Sequence, residues 1–402
     1  MCTAKAVCTA KAVCTAKTVY AMARRSRVRN SVTGFAEPAV SEKSEYLTQQ
    51  LITYIGNKRA LLNFIGAGTA KVQKRLRKNK LKMFDVFSGS GIVARYFKQF
   101  SELLIVNDLE KYSKVINECY LSNEDEIDIA LLREYFSGLT EKAGSGLKSG
   151  IITELYAPAH DDIKKDDRVF YTRRNAMYID TVRQLIESLP QEIKKFFLAP
   201  LLSEASIHAN TSGVFKGFYK NRETGAGQFG GKNKNALFRI TGDIELPFPV
   251  FSNFNCDTII RNDDSNKIIS DLPETDIAYL DPPYNQHPYG SNYFMLNLIV
   301  DYKYPEKTSK ISGIPENWNR SSYNMENYAL EALTYLVENI NSKYVLISFN
   351  SEGFITAGQM KNMLGKYGKF EVLETKYNTF KGSRNLKTRE IHLKEYLYLL
   401  EK

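Results

Sequence analysis

The chain has 402 residues, 43% of them hydrophobic and 12% aromatic, which is enough for one large core and a second module. No apolar run approaches the roughly 18 residues that a membrane-spanning helix needs. Cys2, Cys8, Cys14, Cys119 and Cys256 fit neither a zinc site nor a disulfide framework, and His160, His208, His287 and His392 are not paired at ligand spacing, so no metal is expected. The formal net charge of +10 would indicate a nucleic-acid partner, but residues 1–30 alone hold Lys5, Lys11, Lys17, Arg24, Arg25, Arg27 and Arg29 with no acid. The remainder is only mildly basic.

In chain order, residues 1–40 form a basic leader that contains Cys-Thr-Ala-Lys-Ala-Val twice and then Cys-Thr-Ala-Lys-Thr-Val. Three copies of six residues are too short to stack as a solenoid, so a disordered tail is expected. Its Arg/Ala/Thr/Ser content, free of acids through residue 30, also fits an organelle transit peptide. Next come Tyr54-Ile55-Gly56-Asn57-Lys58-Arg59 and the apolar positions Leu61, Leu62 and Ile65. A short strand pattern, Lys82 to Phe87, carries Asp85 and Phe87 and runs into Ser88-Gly89-Ser90-Gly91 and a helical pattern from Ile92 to Gln99. Gly89, Gly91 and Ala94 satisfy the G-x-G-x-x-G/A spacing, in which glycine lets the chain turn sharply and approach a ligand. Leu103 to Asp108 then reads as a second strand whose terminal Asp108 can bind ribose hydroxyls. These residues describe a nucleoside-cofactor crevice, which a nicotinamide-dependent oxidoreductase would share.

Between Glu110 and about Val250 the strand–helix rhythm stops. Thr172 to Ser188 and Gln191 to His208 read as helices. The alternation of Gly213 to Lys220, the glycine-rich stretch Thr224 to Gly231 and the alternation of Ala236 to Ile240 predict a long hairpin or β-ribbon with a mobile tip. Its Lys216, Lys220, Arg222, Lys232, Lys234 and Arg239 are the predicted DNA contacts. Glu124-Asp125-Glu126 with Asp128 is a solvated acidic run facing away from phosphate.

Thr275 to Leu280 has the pattern of a buried strand, and Asp281-Pro282-Pro283-Tyr284 follows at its C-terminal edge, where open α/β sheets bind ligands. A ring amino group fits this cluster. Asp281 and the Pro282 carbonyl accept its hydrogens, and Tyr284 offers a flat face to the base. Asn285 to Asn292 reads as a loop that orders around DNA, with Tyr289 and Tyr293 at the mouth of the site. A helix from about Asn297 and strands over Tyr344–Asn350 and Tyr396–Leu400 complete a doubly wound α/β sheet interrupted by an inserted module.

Tyr-x-Gly-x-Lys before an apolar helix, Phe-Ser-Gly-Ser-Gly, a long insertion and Asp-Pro-Pro-Tyr, in that order, closely resemble the Dam-like alpha group of DNA adenine N6-methyltransferases. The resemblance runs from about Tyr46 to the C-terminus and includes Phe170 to Thr172, Asn175-Ala176, Ile179-Asp180, Asn210 to Phe218, Val345 to Asn350 and Tyr377 to Asn385. It implies a seven-stranded Rossmann-like sheet with one reversed strand and S-adenosyl-L-methionine as cofactor. The cofactor-binding residues it implies are Tyr54, Gly56, Lys58, Asp85, Phe87, Ser88, Gly89, Gly91, Asp108 and, near the adenine ring, Asp257. Asp281, Pro282 and Tyr284 would be catalytic. The catalytic domain would comprise residues 41–120 and 250–402, and residues 121–249 would form a target-recognition insertion with helices and a β-hairpin. The partner would be double-stranded DNA, with a cognate restriction endonuclease acting on the same site. The expected location is the bacterial cytoplasm, at the nucleoid through DNA binding. Cytosine N4 remains chemically open, as does a non-catalytic DNA-binding subunit that keeps the fold.

Overall fold

The structure is a computed structural model describing residues 41–231, 234, 236–378 and 392–402. The predicted tail 1–40, Lys232 and the family-like residues Thr379 to Asn385 lie outside the described residues. Residues 41–402 form one compact unit.

Its centre is a sheet of seven strands: β1 (Leu81–Asp85), β2 (Ser101–Asn107), β3 (Asp257–Arg261), β4 (Thr275–Leu280), β5 (Ser342–Asn350), β6 (Lys369–Asn378) and β7 (His392–Glu401). They lie in the order β3-β2-β1-β4-β5-β7-β6. The first five neighbours run parallel, and β7 is antiparallel to both β5 and β6. All six residues of β4 are buried, the apolar run Ile277 to Leu280 because helices cover both faces of a parallel sheet and Asp276 through its ion pair with Lys78. The strand period of two divides the core. Met83, Ile277 and Leu346 pack on one face with Ile65, Val72 and Phe97 from the helices Leu62–Leu76 and Ile92–Lys98. Phe84, Ala278 and Val345 pack on the other against Leu333, Leu336 and Val337 of the helix Glu326–Asn339.

The insertion supplies the helices Ile129–Ser145, Ile151–Tyr156, Arg173–Glu187 and Lys194–Ile207, which share an aromatic-rich core with the helix Phe294–Asp301. The predicted ribbon is much shorter than its alternation implied. Among the described residues it reduces to one antiparallel bridge, Lys220 to Gly227, closed by hydrogen bonds from Asn221 N to Ala226 O and from Gln228 N to Tyr219 O. Leu237–Thr241 is a helical turn and not a return strand. Five alternating residues cannot fix a period alone, and the positive φ of Gly225 and Gly230 turns the chain away before a ladder can extend.

Asp180 ties the insertion to the chain beyond the proline motif. Its fully buried carboxylate accepts hydrogen bonds from Ile152 N (3.0 Å), Thr153 N (2.8 Å), Thr153 Oγ1 (2.6 Å) and Tyr302 Oη (2.8 Å). Removing it strands four donors in the interior. Asp180→Ala is therefore expected to destabilise the protein by about 3 kcal/mol or more, and Asp180→Asn by less. Urea unfolding checks this, and a loss below about 1 kcal/mol for the alanine variant would contradict it.

Candidate active site

The C-terminal ends of β1, β2 and β4 finish side by side because Asp85 is level with Val106 on one neighbour and Tyr279 on the other. The segments that follow them converge on one cleft at the C-terminal edge of the sheet, the edge at which open α/β sheets bind ligands. After β1, Phe87, Ser88, Gly89 and Ser90 form its wall. Gly89 and Gly91 have φ of +52° and +74°, and a Cβ would come within 2.7 Å of the Tyr54 ring at Gly89 and 2.8 Å of Asn117 Oδ1 at Gly91. Only glycine keeps this turn closed against its surroundings.

After β2, Asp108 accepts Gly89 N–H at 2.7 Å and Glu110 N–H at 2.8 Å, which fixes the glycine turn to the neighbouring strand end. Burial raises the Asp108 carboxyl to about 6 against the lowering effect of these backbone donors. Glu110 also lines the cleft, held by Asn297 Nδ2 at 2.5 Å and Asn319 Nδ2 at 3.2 Å. Burial, reinforced by the Asp108 charge, raises it to about 7. Asp85 stands fully buried beneath the loop and does not line the cleft. Burial and the charges of Asp281 and Asp108 hold it well above the usual carboxylate range.

Asp257 does not belong to this cavity. It opens β3 at the strand's N-terminal end, exposed and level with Leu103, whereas the wall is built beyond the C-terminal end by Asp263, Asp264 and Ser265. Asn107 holds that segment by donating to Asp263 O and accepting from Asp263 N–H, both at 3.1 Å. The expectation failed because an acid at the wrong end of a parallel strand is separated from the site by the length of the strand.

After β4, Asp281 and Pro283 line the cleft, and Tyr284 sits beside it with its ring edge-on to Phe349. Lys58 reaches the same place from the Tyr54–Arg59 segment and is only 4% exposed. Its Nζ lies 3.1 Å from Asp281 Oδ1 and 2.8 Å from Glu395 Oε1 on β7. Burial disfavours the ammonium, but the two carboxylates outweigh it and hold Lys58 above its ordinary value. Burial raises Asp281 to about 6, with Lys58 pulling down and Glu395 pushing up.

Aromatic contacts hold the segment that carries Lys58. Tyr54 stacks on Tyr289 and Tyr293 with ring centres 5.0 and 4.8 Å away, Ile55 N–H donates to Tyr293 Oη, and Tyr289 Oη donates to Ile55 O. Tyr289 lines the cleft as expected, but Tyr293 is fully buried and serves this clamp instead of the mouth. Gly56 turns between them at φ +75°.

The described residues among the predicted DNA contacts, Lys216, Lys220, Arg222, Lys234 and Arg239, lie outside the cleft. Lys220 stands at the base of the hairpin and Arg222 within its turn, Lys216 O accepts from Ser312 Oγ, and Arg239 Nη1 donates to Ala209 O. Arg239 thus spends part of its guanidinium on the protein. Glu110, Asp263, Asp264, Asn319 and Glu395 were not singled out by the sequence, and only the two acids beyond β3 had a local signal, their place after a strand.

The profile of D12 class N6 adenine-specific DNA methyltransferases matches residues 54–363. Over 361 residues the chain is 30% identical to the Type II methyltransferase M.NlaIII of Neisseria lactamica, covering 87% of this chain and 99% of that one. It is also 30% identical over 357 residues to the Type II methyltransferase M.CviAII of Paramecium bursaria Chlorella virus 1, with 87% and 98% coverage. Similarity to M.FokI of Planomicrobium okeanokoites, at 26%, covers 87% of this chain but 52% of that protein. With the glycine loop, the acid after β2 and Asp-Pro-Pro-Tyr converging on one cleft, and a profile match across most of its length, the chain belongs to the D12 class N6 adenine-specific DNA methyltransferase family.

Proposed function

We propose that the cleft binds S-adenosyl-L-methionine and that Asp281, the Pro282 carbonyl and Tyr284 receive an adenine flipped out of duplex DNA. The observation that carries this reading is that Asp281 shares one cleft with the glycine turn and Asp108, so an acceptor for an amino group faces a nucleoside-shaped wall. The residues suit the cofactor. Asp108 has lone pairs left for ribose hydroxyls after accepting two backbone donors, and the glycine turn has no side chain to block the approach. Asp263, Asp264 and Ser265 would meet the remainder of the nucleoside. When bound, the cofactor supplies an electrophilic methyl group on a sulfonium.

Flipping costs roughly a few kcal/mol, and stacking on Tyr284 would recover about 1–3 kcal/mol. The N6 lone pair is delocalised into the ring, which makes the nitrogen a weak nucleophile. Hydrogen bonds to Asp281 and the Pro282 carbonyl favour the pyramidal, positively charged nitrogen that forms as the N–CH₃ bond is made and the S–CH₃ electron pair returns to sulfur. The proton then leaves nitrogen for Asp281 or water. Residues 121–249 would serve as the recognition insertion on a catalytic body of residues 41–120 and 250–402, with Lys216, Lys220, Arg222, Lys232, Lys234 and Arg239 near phosphate. The resemblance to Type II methyltransferases supports a cognate restriction endonuclease acting on the same site, and a cytoplasmic setting would suit that pair.

Asp281→Ala is expected to lose a few powers of ten in turnover while still binding cofactor, because its contribution falls in the transition state. Wild-type turnover should decline as pH falls through about 6, where Asp281 takes up a proton and one acceptor is lost. Methylation assays across pH check both, and alanine turnover within tenfold of wild type would remove Asp281 from the mechanism.

Gly91→Val should abolish binding of S-adenosylhomocysteine by calorimetry, since its Cβ would meet Asn117 Oδ1 at 2.8 Å on a backbone with φ of +74°. Tighter binding of a nicotinamide dinucleotide to the wild type would refute the cofactor assignment.

Replacing Lys220, Arg222 and Lys234 together by alanine should weaken DNA binding and flatten its salt dependence by up to about three charges' worth, leaving S-adenosylhomocysteine affinity nearly unchanged. An unchanged salt slope would place the phosphate contacts elsewhere.

A further inference from the structure

We propose that Glu395 and Ser348 are positioning residues that hold the Lys58 ammonium off Asp281, leaving that carboxylate a net negative charge and free lone pairs for the substrate amino group. This rests on the reading of Asp281 as the amino-group acceptor. Glu395 stands on β7, level with Asn350 of β5, and is 3% exposed. Its Oε1 receives two hydrogen bonds, from Lys58 Nζ at 2.8 Å and from Ser348 Oγ at 2.9 Å. Ser348 belongs to β5, the strand beside β4, so the sheet itself sets this geometry. The ammonium also lies 3.1 Å from Asp281 Oδ1, so the two carboxylates share it, with the shorter contact to Glu395.

The consequence is a charge count. A lysine paired with Asp281 alone would make a neutral couple with its acceptor oxygen occupied. Two carboxylates sharing one ammonium carry a net charge of −1, next to the nitrogen on which positive charge develops. The titratable groups facing the cluster are Tyr279 on β4, Asp85 on β1, and Tyr284 and Tyr289 beyond β4, all acids that add no positive charge. Lys58 is thus the single cation of the site among the described lining residues. Glu395 raises the Asp281 carboxyl while Lys58 lowers it, both acting on a group that burial raises first.

The test compares Glu395→Gln, Glu395→Asp and wild type by the pH dependence of kcat on duplex DNA, with calorimetric affinity for S-adenosylhomocysteine. E395Q should lower kcat about tenfold or more and move the acid limb to lower pH by about one unit, since Lys58 then acts on Asp281 alone. Cofactor affinity should stay within about threefold. E395D, which keeps the charge, should return the limb to near its wild-type position. A limb that does not move in E395Q, or that moves equally in both variants, overturns the proposal, because a purely structural residue would change stability and yield alone. If E395Q does not fold, Ser348→Ala is measured instead. Freeing Glu395 Oε1 of its second donor lets it draw the ammonium closer and should move the limb to higher pH, and an unmoved limb there overturns the proposal equally. Wild-type turnover on DNA tests the Asp281 reading itself, whereas only the differences between variants test the role of Glu395.

Discussion

The site depends on β1, β2 and β4 running parallel as immediate neighbours. Parallel neighbours cannot be joined by a tight turn, so each returns through a crossover and ends at the same edge of the sheet. The glycine turn, Asp108 and Asp281 are therefore presented together although long stretches of chain separate them. The register adds rigidity at little cost. Val86 N–H reaches Tyr279 O at 3.1 Å and Ser88 N–H reaches Asn107 O at 3.0 Å, so hydrogen bonding continues one step past the strands into the loops that form the wall. A loop anchored in this way enters the site with few conformations left to lose on binding a ligand.

The reversed strand β7 has a different use. Running antiparallel to β5, it brings Glu395 beside the C-terminal end of β5, at the functional edge, where a parallel strand would present its own later residues. Lys58 then has a second buried anionic partner besides Asp281. A lone ammonium in this interior would be costly, and a single carboxylate would neutralise it, so the second acid decides whether the cluster is neutral or anionic.

What could be read from the chain follows the range of the forces involved. Buried strands, the glycine turn and Asp-Pro-Pro-Tyr are local signals, and they gave the doubly wound sheet and the cleft wall around Gly89, Asp108 and Asp281, whereas the strand count and the reversed strand followed from the family resemblance alone. Glu395 and Ser348 carry no local signal, since an acid in an alternating strand reads as a wet position until its partner Lys58 is known. Asp257, assigned to the cofactor by the family resemblance, opens β3 at the end away from the cleft, and no local signal in the sequence fixes that end; Asp263 and Asp264 lie at the edge that counts. Tyr293 read as a mouth residue because an aromatic in a polar segment has no visible partner in sequence, and its partner, Tyr54, lies far upstream. Ala236–Ile240 failed as a strand because five residues hold too little of either period, leaving tertiary surroundings to choose the helical turn.

Charge then divides the molecule between its ligands. Asp108, Glu110, Asp263, Asp264 and Asp281 line the cleft against Lys58, a field that favours a positively charged methyl donor and repels phosphate. On the function proposed above, phosphate would be held by groups outside the cleft while one base enters it, and a lysine- and arginine-bearing hairpin at a distance from the acids would suit that division. The two regions are nonetheless joined through the backbone. Phe215 N–H donates to Asn292 O at 2.7 Å, Ser312 Oγ donates to Lys216 O at 2.6 Å, and Asn292 N–H donates to Pro288 O at 3.0 Å within the turn that carries Tyr289. Tyr289 stacks on Tyr54, four residues before Lys58. A phosphate bound near Lys216 would therefore bear on the aromatic clamp that sets the position of Lys58. A short chain of hydrogen-bonded and aromatic contacts thus runs from Lys216 through Asn292 and Tyr289 to the segment that carries Lys58.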